Sequence, residues 1–251
     1  MTINDEGETK MVQQTFTDME YANRNRTTKR EAFLDAMESI IPWKEWMELI
    51  APFYVQKEHG RKLIPLETML RMYLMQNWFG LSDEGIEDAI YDSYAMKRFL
   101  KIDFSIERTP DATTLLHFRH LLEKHDITRK MFDDVKERLD AAGLIMHGGT
   151  IVDATIIHAP SSTKNATKTH DPEMHSVRKG NQWFFGMKIH SGTDAATGYV
   201  HTITGTAANV HDIVQAHALI RADDHSVYGG SGDLGVEKRA EILEDPHLSS
   251  V

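Results

Sequence analysis

Apolar residues recur at helical spacing from Lys29 to about Gly143, and the pattern then changes. Glu31 to Ile41 carries Phe33, Met37 and Ile40 and stops at Pro42. Pro65 opens the clearest helix, with Leu66, Met69, Leu70, Tyr73, Leu74 and Trp78 on one face and Gly80 as its stop. Ser82 is placed to cap the next helix, with Asp83 and Glu84 in its positive first turn. Trp78 to Ser82 therefore reads as a tight helix–turn–helix junction. Thr109-Pro110 starts a further helix (Leu115, Phe118, Leu122). Thr128 caps the one after it, with Met131, Phe132, Val135 and Leu139 inward and Gly143 closing it.

The period changes at Leu144. Residues 150–158 read as a strand and 160–181 as a polar, basic, turn-rich loop. Trp183 to His190 and Tyr199 to Gly205 read as two further strands, joined by a hairpin turn over Ser191 to Gly198. Val210 to Ala222 reads as a helix, Ser226 to Tyr228 as a short strand and Gly235 to Leu243 as the start of another helix. The expected fold class is α+β: a loose arm over 1–28, an all-helical region over 29–145 and an α/β region over 146–251.

Composition narrows the chemistry. The 251 residues suffice for one large domain or two small ones, and an apolar content of 41% is enough for a real core. With no cysteine, disulfides, thiolate zinc sites and thiol nucleophiles are excluded. No apolar run approaches the roughly 20 residues of a membrane helix, and the acidic, polar start is not a secretory signal. A cytoplasmic protein is expected. The net charge of −10 argues against a uniformly nucleic-acid-binding surface, yet binding depends on local charge. One basic stretch carries Arg24, Arg26, Lys29 and Arg30. Another carries Lys164, Lys168, Arg178, Lys179 and Lys188 against only Asp171 and Glu173. Trp183 and Phe184 suit either base stacking or, more commonly, a core. The spacing of His170, His175 and His211 with Asp212 is unspecific for zinc, and Gly229 to Gly232 lacks the Gly-Lys-Ser/Thr ending of a phosphate loop.

Asp153 is the residue that stands out. It lies inside the apolar run Thr150-Ile151-Val152-Asp153-Ala154-Thr155-Ile156-Ile157, where a charge is costly unless something pairs with it. A metal ion is one such partner. Three strands, a helix and a fourth strand, with an Asp midway along the first, is the layout of a ribonuclease-H-like domain.

The chain resembles bacterial insertion-sequence transposases of the IS-five group, which carry a DDE catalytic domain. The resemblance rests on Pro65-Leu66-Glu67-Thr68-Met69-Leu70-Arg71, Leu81-Ser82-Asp83, Pro110-Asp111-Ala112-Thr113-Thr114 with Phe118-Arg119, and Gly149 to Thr155. It continues through Gly186-Met187-Lys188-Ile189-His190, Ala208-Asn209-Val210-His211-Asp212 and Gly235-Val236-Glu237-Lys238-Arg239. It implies Mg2+-dependent cutting and joining of double-stranded DNA at terminal inverted repeats and at a target, by a homo-oligomer, with Asp153 as the first catalytic, metal-binding carboxylate. It also implies terminal-repeat binding by the helical region 29–145, around Trp78 to Ser82; Lys164, Lys168, Arg178, Lys179 and Lys188 are candidate phosphate contacts because they cluster beside the expected site, and Arg119 is a further candidate DNA contact. The second carboxylate is expected in a pattern resembling Tyr-Gly-Asp-Ser-Gly-Tyr, which here reads Tyr228-Gly229-Gly230-Ser231-Gly232-Asp233. Gly230 stands where the Asp belongs, and Asp233 is the only nearby substitute. A third carboxylate, a Glu on a later helix, has no counterpart before Val251. The sequence thus reads as an incomplete ribonuclease-H-like domain in a C-terminally truncated, catalytically defective copy. The alternative is a non-catalytic DNA-binding remnant or an inhibitor of an intact transposase.

Overall fold

The computed structural model describes residues 21, 23, 25–54, 63–102, 108–164 and 168–230. It is an α+β protein with helices first and strands second. By contacts the chain divides into two units, Met1–Met131 and Phe132–Val251. That division falls inside a helix, whereas the change from helix to strand falls just beyond Gly143.

The first unit holds α1 (Lys29–Ile40), α2 (Trp43–Ile50), α3 (Leu66–Phe79), α4 (Asp83–Asp92), α5 (Tyr94–Leu100), α6 (Ala112–Lys124) and the start of α7 (Ile127–Ala141). α3 is its centre. Beyond the expected face of Met69, Leu70 and Leu74, it also buries Thr68, Arg71, Met72, Met75 and Gln76. Gly80 ends α3 in the left-handed region (φ 60°), donating its N–H to Asn77 O. Ser82 Oγ then accepts the Gly85 N–H at 3.0 Å, so the junction forms as its residues dictate.

Some expectations are corrected. In α1 the buried positions are Glu31 and Leu34, while Ile40 is 63% exposed; Phe33 packs edge-on against Trp78 and Phe79 instead of entering the core. α6 begins after Asp111 rather than at Thr109-Pro110, because the Asp111 carboxylate accepts the Thr114 N–H at 2.7 Å. α7 starts at Ile127, one residue before Thr128, and only its first turns enter the helical core, through Ile127 and Met131. Val135, further along and in the second unit, is exposed at 38%.

The second unit is built on β1 (Thr150–His158), β2 (His175–Lys179), β3 (Gln182–Asp194), β4 (Val200–Ala207) and β5 (Val227–Tyr228), with α8 (Asp212–Leu219) packed on β1, β3 and β4. β1, β3 and β4 run antiparallel in sequence, and β5 lies parallel to β1. β1, β3, β4, the helix and β5 follow in the chain order expected from the sequence. The segment expected as a loop over 160–181 contains β2, which pairs with the start of β3 (Arg178 opposite Trp183). Alternation fails there because both faces of that hairpin are largely polar or exposed. β3 runs on to Asp194, so the turn is shorter than expected. α8 ends at Leu219 because Ile220 turns extended and leads into a tight turn over Arg221 to Asp224. The helix expected at Gly235–Leu243 lies outside the described residues.

Period-2 alternation divides the sheet cleanly. Thr150, Val152, Lys188, His190 and Asp194 are buried, while Ile151, Asp153, Ile157 and Ile189 are exposed on the other face.

In the first unit, one fully buried guanidinium joins four helices. Arg71 of α3 binds Glu38 of α1 and Glu67 of its own helix, donates to Phe99 O at 3.1 Å, and stacks on Trp43 at 3.9 Å. Removing it leaves the two carboxylates with Lys101 as their remaining partner. Arg71→Ala is expected to lower stability by about 3 kcal/mol, read by urea unfolding with tryptophan fluorescence. Arg71→Lys should recover little of this, since an ammonium cannot reproduce the forked contacts.

Candidate functional site

β1 is placed by its neighbours on both edges. Asp153 lies opposite Ser191 of β3. On the other edge Thr150 pairs with Val227 and Ile151 with Tyr228. The ladder stops at Tyr228, and Gly230 follows two residues beyond it, as Asp153 follows two residues beyond Ile151. Gly230 and Asp153 both line one open cavity of about 570 Å3 with Ile151, Val152, Ala195, Tyr228 and Gly229. The Asp153 carboxylate is exposed to that cavity rather than buried against an arginine. Glycine is required at the entrance to β1: a Cβ on Gly149 would lie 2.7 Å from Ser226 O, where the two strands first meet.

Beneath this edge lies a buried polar network that the sequence reading missed. Asp194, fully buried at the end of β3, accepts from Met146 N at 3.1 Å, Thr197 N at 2.9 Å, Thr197 Oγ1 at 2.9 Å and Arg221 Nη2 at 3.2 Å. Burial alone would raise its pKa; these donors outweigh it and hold the carboxyl far below the usual range. Arg221 also donates to Asp224 Oδ1 at 2.9 Å. Asp224 accepts the Thr150 hydroxyl at 2.5 Å, and its carboxyl is likewise lowered despite burial. Thr150 Oγ1, its proton committed to Asp224, accepts from His201 Nε2 at 3.0 Å, which leaves His201 Nδ1 to accept from Thr202 Oγ1 at 2.9 Å. The network thus runs from the end of β3 through the turn before β5 to the first residue of β1. One local signal was legible: Asp194-Ala195-Ala196-Thr197-Gly198 has the form of a side-chain-capped turn. The links of Arg221 to Asp194 and of Asp224 to Thr150 carry no such signal, because those partners are remote in sequence.

The basic residues separate into two sets. Lys164, Lys168, Arg178 and Lys179 are exposed. Lys188 is 8% exposed, on the opposite face from Asp153, with its ammonium bonded to Val210 O and Asp212 Oδ1, both at 2.7 Å. Arg119, in the helical unit, binds Asp83 and donates to Gln76 Oε1 at 3.3 Å. It lines a cavity of about 500 Å3 with Tyr73, Asn77 and Glu123 among others. Trp183 is 69% exposed, whereas Phe184 is half-buried with its ring edge-on to His158. Asp233 lies outside the described residues. Among the described residues no helix is long and apolar enough to cross a membrane.

Two family models match the chain. One, described as a transposase domain (DUF772), matches residues 22–121. The other, described as a transposase DDE domain, matches residues 146–244. No solved structure matches.

The network gives stability a pH dependence. Burial, followed by the nearby Arg221 charge, pushes His201 from 6.5 down to about 4. An unfolded chain binds this proton near 6.5, and the folded one refuses it until about 4. The contribution of the neutral ring is therefore complete above 6.5 and lost as pH falls toward 4. It is worth about 3 kcal/mol across that window. His201→Gln should flatten the stability profile between pH 6.5 and 4 in urea titrations; an unchanged slope would show that the imidazole is not the titrating group.

Proposed function

Because the chain belongs to the DDE transposases, whose members transfer polynucleotide ends, we propose that it binds the terminal inverted repeats of an IS-five-type insertion sequence without the carboxylate set needed to cut them. The observation that carries this reading is the glycine at position 230 in the cavity that Asp153 lines.

The chemistry of the family supplies the reason. A pair of Mg2+ ions held by carboxylates from neighbouring strands activates the attacking oxygen and steadies the leaving one. The donors present do not fit that demand. Asp153 brings a single carboxylate to the cavity, and its lining is otherwise apolar, aromatic or glycine. Among the described residues there is no group of three or more His, Asp or Glu side chains able to hold a metal. One carboxylate on an open surface is a weak ligand set for a hard, strongly hydrated ion, so no cleavage step is assigned to this chain.

DNA binding survives this loss, since phosphate contacts need cations rather than metal ligands. Lys164, Lys168, Arg178 and Lys179 are the exposed members of the basic set and supply these contacts in our reading. Arg119 and Lys188, already bound to carboxylates, hold their own elements in place and act on DNA through that role. A protein that occupies repeats without cutting them would compete with, or assemble into, an intact cytoplasmic transposase oligomer.

Purified chain incubated with terminal-repeat DNA and Mg2+ or Mn2+ is expected to retard the DNA and leave it uncut. The slope of log affinity against log salt should be about −3 to −4, as for four phosphate contacts. Nicking by the purified chain would overturn the catalytic half of the proposal, and no retardation at low salt would overturn the binding half.

A further inference from the structure

The β2–β3 hairpin carries a large aromatic side chain that packing does not explain. Trp183 is the second residue of β3 and is 69% exposed, against 4% for Trp46 in the helical core. Its cross-strand partner is Arg178. The Arg178 guanidinium donates through Nε to Gly180 O at 3.1 Å, which holds it against the hairpin turn. From His175 to Phe185 there is no acidic residue, and Lys179 adds a second cation on the opposite face.

The alternation along β3 fixes where this pair looks. Trp183 and Ser191 are an even number of residues apart, so their side chains leave the same face of the strand. Ser191 is the cross-strand partner of Asp153. Arg178, Trp183 and Asp153 therefore share the face of the sheet that α8 does not cover. Along the strand the tryptophan stands roughly 26 Å from the Asp153 level, about the length of eight stacked base pairs.

We infer that the β2–β3 hairpin is a nucleic-acid prong, in which Arg178 takes a backbone phosphate and Trp183 stacks on an unpaired base of DNA lying along the Asp153 face. The inference rests on the DNA-binding reading above and adds to it a preference for DNA with unstacked bases. An aromatic face next to a cation, free of acidic neighbours, suits a base and its phosphate. An acidic protein surface would engage the cations and gain little from the flat ring. Stacking needs no sequence match, because every base offers a π-face.

The test compares a dye-labelled duplex of about 20 base pairs, blunt or carrying a short single-stranded tail, by fluorescence anisotropy. The full chain should bind the tailed form more tightly, with quenching of tryptophan emission. Trp183→Ala should lose about 5- to 100-fold in affinity for the tailed DNA, lose that quenching, and keep blunt-duplex affinity within about twofold. Trp183→Phe should recover most of the loss. Arg178→Ala should weaken both forms and reduce the salt slope by about 1. Because Trp183 is exposed, the variants should melt with the parent, which a thermal scan checks. If the parent binds both DNAs and Trp183→Ala binds them unchanged, the prong is wrong while the DNA-binding reading stands. If the parent binds neither DNA, both fail.

Discussion

The parallel pairing of β5 with β1 is the constraint on which the candidate site depends. It covers two residue pairs, Thr150 with Val227 and Ile151 with Tyr228. So short a ladder cannot hold its register by backbone hydrogen bonds alone. The buried Asp194–Arg221–Asp224–Thr150 network supplies the rest. It ties the turn that leads into β5 to the end of β3 and to the first residue of β1. Gly149 lets the strands approach where a side chain would strike Ser226 O. With that register fixed, whatever stands at position 230 faces the same cavity as Asp153.

Many residues that carry the family resemblance serve as internal ties. Arg71 is buried among Glu38, Glu67 and the rings of Trp43 and Phe99. Asp83, from the Leu81-Ser82-Asp83 segment, meets Arg119, from the Phe118-Arg119 segment. Lys188 and Asp212 join two other motif segments across the sheet and α8. Arg71 and Lys188 are charges placed where water is scarce, and each has a partner, as burial demands, while the Arg119–Asp83 pair is partly exposed. Motif residues in this chain are therefore mostly devices that hold the fold. Among the described residues, Asp153 and Lys164, Lys168, Arg178 and Lys179 are by contrast exposed.

The sequence made the elements legible where local rules act alone. Gly80 and Ser82 ended one helix and capped the next as their side chains require, and β1 was bounded correctly by its apolar run. Local rules failed where tertiary contacts decide. β2 has no alternating pattern of its own and exists because β3 offers it an edge. Val135 looked inward from spacing, but its helix leaves the helical core after the first turns. The same division applies to the site. Asp153 was visible as a charge in an apolar strand. The links of Arg221 to Asp194 and of Asp224 to Thr150 were invisible, because those partners lie 27 and 74 residues away. Trp183, more ordinarily a core residue, proved exposed because its hairpin projects beyond the helix-covered part of the sheet.

Asp153 and Gly230 line one cavity, to which the described residues bring one carboxylate. Titration of Mn2+ into the protein, followed by electron paramagnetic resonance, tests it most directly. Weak binding is expected for the chain as it stands, binding at least about tenfold tighter on Gly230→Asp, and loss of that gain when Asp153→Asn is added; about tenfold corresponds to 1.4 kcal/mol. Equal affinity with and without the aspartate at 230, or a gain that survives Asp153→Asn, would contradict it.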